Sequence, residues 1–77
     1  MDVRIGVTYS TKEIDVEVAP DVDREALKAS IEDALADDTG VLWLTDRRGR
    51  DVAVPVGKVA YVEIGGPEED RHIGFSA

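Results

Sequence analysis

The chain contains no cysteine, no asparagine and no glutamine, and among its 77 residues it has one histidine and four aromatic side chains. Without cysteine there are no disulfides, no thiolate metal sites and no sulfur nucleophile. A secreted domain of this size usually carries disulfides, so the composition predicts a cytoplasmic protein. The single histidine, His72, has no second histidine or cysteine to share a zinc ion with, and it stands in no Ser-His-Asp arrangement. It reads as a surface residue of the chain's last stretch. Basic residues are also scarce: nine Lys and Arg face seventeen Asp and Glu, for a net charge of −8. Such a domain repels a phosphate backbone as a whole, which disfavours nucleic acid and anionic membranes and favours a basic protein surface. No apolar run approaches the length of a membrane span. The opening Met1-Asp2-Val3-Arg4 has neither the basic nor the apolar part of a signal peptide, so none is expected.

What is present is a soluble globular pattern, 43% hydrophobic and 34% charged, sized for one domain over residues 1–77. Val3, Ile5, Val7 and Tyr9 alternate with Arg4, Gly6 and Thr8, which predicts a half-buried strand. After the polar turn Ser10-Thr11-Lys12, Ile14, Val16 and Val18 alternate with Glu13, Asp15 and Glu17, so an antiparallel hairpin with one wet face follows. Pro20 ends that strand, and Asp21 or Asp23 can cap a helix whose apolar positions are Ala26, Leu27, Ile31, Ala34 and Leu35. Gly40 is expected to supply a left-handed C-cap. Strand character returns at Val41–Thr45, at Asp51–Val56 beyond the turn Asp46–Arg50, and at Val59–Ile64 beyond Gly57. The prediction is an α+β domain of order ββαβββ, a mainly antiparallel sheet with one helix packed on one face. Residues 65–77 read as a tail in which Arg71 to Phe75 could add a short edge strand.

The later strands are apolar on both sides. With Leu42, Leu44, Val62 and Ile64 turned to the helix, alternation sends Val41, Trp43, Val59 and Tyr61 to the opposite face. One helix cannot cover both faces of a sheet. The tail, a second copy of the chain or a larger protein is therefore expected on the other, with Trp43 and Tyr61 as anchors beside Val41 and Val59.

Charged candidates carry less. Arg47, Arg48 and Arg50 form the one basic cluster, able to hold a phosphate or a carboxylate, with Asp46 and Asp51 beside them as internal counter-charges. Asp37-Asp38 sits at the helix C-terminus, where the helix dipole disfavours negative charge. Glu68-Glu69-Asp70 lacks the glycine-punctuated spacing of a calcium loop, and Gly65-Gly66-Pro67 lacks the Lys-Ser/Thr of a phosphate loop. No metal or cofactor is expected, and the inventory does not point to an enzyme.

Four segments in order give the chain a recognisable outline: Val3-Arg4-Ile5-Gly6-Val7; Leu42-Trp43-Leu44-Thr45-Asp46 with Arg48-Gly49-Arg50; Val54-Pro55 with Val59-Ala60-Tyr61-Val62-Glu63-Ile64; and Ile73-Gly74-Phe75. In these the chain resembles, over essentially its whole length, a family of small uncharacterised actinobacterial proteins, a domain of unknown function of similar size. Some members carry an automatic ATP-binding label, for which no motif is present here. Asp46 through Glu63 is also similar to the opening of LytTR-type DNA-binding domains, a likeness of architecture alone. The function expected is a non-enzymatic interaction or regulatory module that self-associates or docks to a larger protein. The alternative is a nucleotide- or nucleic-acid-binding accessory protein using Arg47, Arg48 and Arg50.

Overall fold

A computed structural model describes residues 1–65. The elements follow the expected order: β1 (Asp2–Val7), β2 (Glu13–Glu17), α1 (Arg24–Leu35), β3 (Val41–Thr45), β4 (Asp51–Pro55), a 3-10 turn (Val56–Lys58) and β5 (Val59–Ile64). All strand pairs are antiparallel. The predicted short strand over Arg71 to Phe75 lies outside the described residues, as do His72 and Glu68–Asp70.

The strands form two sheets where one was expected. The first has the order β2-β1-β5, so the final strand returns to pair with the first; the second is the β3-β4 hairpin alone. A backbone bond from the Arg47 N–H to the Glu17 carbonyl (2.7 Å) ties the hairpin, just beyond β3, to the end of β2. One hydrophobic core fills the space between. Val3, Ile5, Val16 and Val18 enter it from the first sheet, Leu42, Leu44, Val54 and Val56 from the hairpin side, and Ile31 from the helix. The inner face of the three-stranded sheet is thus met by a helix and a hairpin together, and its outer face carries the charged residues of the alternation.

Helix α1 starts where an aspartate can cap it. Asp23 has extended backbone and its carboxylate accepts from the Ala26 N–H at 2.9 Å, with Glu25 in the first turn. The expected glycine C-cap does not occur. The helix ends at Leu35, and Gly40 closes a separate turn by donating to the Asp37 carbonyl (2.9 Å) without a left-handed backbone. Asp37 is consumed by that turn: its carboxylate accepts from the Thr39 hydroxyl (2.8 Å) and N–H (3.1 Å), which lowers its pKa. The acid at the helix end therefore orders the link into β3. Tyr9, expected to continue β1, instead has a φ of 61° and stands fully exposed in the first turn.

Candidate interaction surface

Strand alternation divides the β3-β4 hairpin into two unlike faces. Leu42 and Leu44 point inward, and the cross-strand partners Val41↔Pro55 and Trp43↔Ala53 point outward. Leu42 is 1% exposed; Trp43, its neighbour in sequence, is 63% exposed and Val41 44%. Ala53 and Pro55 are exposed beside them. The result is a contiguous apolar strip on a two-stranded sheet, with nothing over it among the described residues. Pro55 adds no strand donor, in keeping with a place at the end of an edge.

Of the four residues expected to share one bare face, the structure brings together Val41 and Trp43 only. Tyr61 lies on the other sheet, on the outer face of β5 opposite Gly6. Its ring crosses Gly6 so closely that a Cβ there would collide with it, and its hydroxyl donates to Glu13 on β2. That bond is the main reason the phenol's pKa is raised. Val59 is displaced by a different cause. Between Gly6 and Val7 the β1–β5 register shifts, so Val7 pairs with Val59 while Gly6 pairs with Tyr61. The extra residue of this bulge, Ala60, turns Val59 inward, where it is half-buried against the core. A strictly alternating reading of residues 59–64 cannot register such a slip.

The outer face around Tyr61 is polar. Arg4 sits in its middle, with its guanidinium near Glu63 (3.3 Å), Asp15 (3.4 Å) and Glu13 (3.5 Å). The hydrogen bond to Asp15 leads the causes that raise its pKa. These pairs are exposed and contribute little to stability, but they make this face hydrophilic. Among the described residues the apolar part of the outward sheet surface is accordingly smaller than a whole sheet face: it is the hairpin strip.

The arginine cluster at the hairpin tip is largely spoken for. Asp46 is buried, and its Oδ1 accepts from the N–H groups of Arg48 (2.8 Å) and Arg50 (2.9 Å), while Oδ2 meets the Arg50 Nε at 2.7 Å. These bonds, the Arg50 backbone donor first, hold its carboxyl below the ordinary carboxylate range. Gly49 takes the positive φ of 86° that closes the turn. Arg47 reaches Glu17 at 3.1 Å. Asp51 accepts from the Thr45 hydroxyl (2.8 Å) and takes no part in neutralising the tip. Among the described residues only Arg48 of the three has no carboxylate partner. Beside the tip lies a broad cleft of about 870 Å³ whose walls carry arginines and carboxylates alike, Arg4, Arg47 and Arg48 facing Asp2, Asp15 and Glu17. Such a lining presents no net cationic field to a phosphate.

Among the described residues no group of three or more His, Asp or Glu gathers as a metal site, and no helix is long and apolar enough to cross a membrane. No curated protein matches the chain. The chain belongs to the family described as protein of unknown function (DUF3107), whose model matches residues 1–76.

Proposed function

We propose that the domain is a non-enzymatic protein-interaction module that docks a second copy of itself through the outer face of the β3-β4 hairpin. The exposure of Trp43 carries this reading. A tryptophan that is 63% exposed amid Val41, Ala53 and Pro55 on a two-stranded sheet is the composition of a buried interface core, left uncovered. The absence of cysteine supports a reducing, cytoplasmic setting for it.

Charge selects the arrangement. At one end of the strip stands the tip with Arg48; at the other, just before β3, stands the exposed Asp38. Two copies meeting face to face about a two-fold axis can run tip over tip or tip over base. Tip over tip brings the arginines together and is repulsive. Tip over base sets Arg48 of each copy toward Asp38 of the other, with the two indoles between. A larger protein with an acidic spot and an apolar pocket is the other occupant to be tested.

Charge reversal followed by sedimentation tests the arrangement. Arg48→Asp and Asp38→Arg should each weaken self-association, and mixing the two variants should restore it, because every cross-copy contact is then again between opposite charges. A wild-type chain that dimerises while neither reversal has an effect overturns the tip-over-base geometry. A wild-type chain that stays monomeric overturns the second copy as occupant. The nucleotide reading through Arg47, Arg48 and Arg50 predicts a steep loss of binding with salt; with two of its guanidiniums already paired, no further observation favours it.

A further inference from the structure

A groove of about 310 Å³ lies between α1 and β5, with apolar walls from Ile31, Leu35, Val62 and Ile64 and with Arg24 and Lys28 on its helical side. Leu35 is one of the exposed large apolar side chains, and Val62 and Ile64 are only half-buried. Among the described residues β5 pairs with β1 alone, so its other side is an edge. The ladder shows which groups that edge presents. The Gly65 N–H donates to the Asp2 carbonyl (2.7 Å), so in an antiparallel pair Glu63 and Tyr61 also turn their backbone groups to β1. Val62 and Ile64 turn theirs the other way. The Ile64 carbonyl agrees with this, since it accepts from the Arg24 guanidinium (3.4 Å). The Val62 N–H and carbonyl and the Ile64 N–H are left for a partner strand.

We propose that this edge takes an extended peptide segment of another protein as a fourth strand, antiparallel to β5, and reads its charges in a fixed order. A residue opposite Val62 or Ile64 shares their face and enters the groove; one opposite Glu63 lies on the outer face. Arg24, at the start of α1, bonds Ile64 and Gly65, whereas Gly40, beyond its end, accepts from Val56 just before β5. Helix and strand therefore run in opposite senses, and the cationic end of the groove lies at Ile64. The position opposite Ile64 takes a carboxylate, and the one opposite Val62 takes an apolar side chain against Leu35 and Ile31. On the outer face Glu63 belongs with Glu13 and Asp15 around a single Arg4, so the position opposite Glu63 takes Lys or Arg. From the N-terminal side, the order is acidic, basic, apolar. A second copy does not supply it. Its β5, paired about Val62, sets Ala60 opposite Ile64 and Tyr61 opposite Glu63, and its β2 would bring Glu13, Asp15 or Glu17 against Glu63.

Nuclear magnetic resonance on the full chain, titrated with the peptide acetyl-Glu-Lys-Val-Thr-Val-Thr-amide, tests this. Before addition the Val62 and Ile64 amides should exchange quickly with solvent while the Glu63 amide is protected. The peptide should shift and protect the first two and move the Leu35 methyl signals. The isomer with its charges exchanged, acetyl-Lys-Glu-Val-Thr-Val-Thr-amide, should bind about tenfold more weakly, because both cross-strand charge pairs become repulsive. Lys28→Glu, a change on the exposed side of α1, should narrow that difference by weakening the first peptide and favouring the second. Equal affinity for the two peptides, no response at Val62 and Ile64, or amides there already protected in the chain alone would each overturn the proposal. Trp43→Ala should bind the peptide as the wild type does, so this site and the hairpin strip stand or fall separately.

Discussion

Asp46 organises more of the hairpin tip than any other side chain. It is buried, yet three donors surround it, two of them backbone N–H groups that would otherwise stand unpaired in the turn. Its depressed pKa has a consequence for stability whose sign is fixed. The folded state prefers the ionised carboxylate, so the contribution is complete above the ordinary value of 3.8 and drains away as pH falls below it toward the folded value. Urea midpoints taken near pH 7 and near pH 3 should therefore differ more in the wild type than in Asp46→Asn, which has no charge to lose. Equal pH dependences would contradict this role. Asp37 shifts in the same direction through Thr39 and adds to the wild-type slope in both proteins. At this scale the sequence was partly legible. Asp46 was visible as a counter-charge for the arginines, but Glu17, the partner of Arg47, is thirty positions away and no local pattern links the two. Alternation alone makes Gly6 one more outward position; that it makes room for the Tyr61 ring depends on a pairing between the first and last strands.

At the scale of elements, periodicity carried most of the information. The alternation in β1, β2 and β3 correctly separates Val3, Ile5, Val16, Leu42 and Leu44 from their charged or aromatic neighbours, because a strand with one face against a core has no freedom of register. Two features escaped it. The bulge opposite Gly6 and Val7 is a property of a strand pair, and it redirected Val59. The split into two sheets depends on which edges meet, and alternation is the same whether β3-β4 joins the first sheet or packs across it. The two faces of the hairpin make a direct prediction. Leu42→Ala removes a fully buried side chain and should destabilise the monomer by about 2–5 kcal/mol. Trp43→Ala, one residue away, should change monomer stability by no more than about 0.5 kcal/mol. Denaturant melts at high dilution compare them; a large loss at Trp43 would place the indole in the core and reverse the faces.

For the whole molecule, the three-stranded sheet and the hairpin divide the surface between them. The first presents Arg4 ringed by carboxylates and Tyr61 bonded to Glu13, a face that suits water. The second presents the strip centred on Trp43. A net charge of −8 discourages indiscriminate contact, so the self-association proposed above has to draw on an apolar spot where the charges at either end agree. The two-sided apolar patterning of the later strands led to the expectation of a bare sheet face; among the described residues the tertiary arrangement leaves the contiguous exposed apolar positions of the sheets on one side of one hairpin. Sedimentation equilibrium over a concentration series tests the docking face most directly. The wild-type mass should climb from 8.4 kDa toward twice that value, and Trp43→Ala, still folded, should remain at 8.4 kDa throughout. A wild-type chain that holds 8.4 kDa at every concentration, with the emission of Trp43 unchanged, would contradict the account.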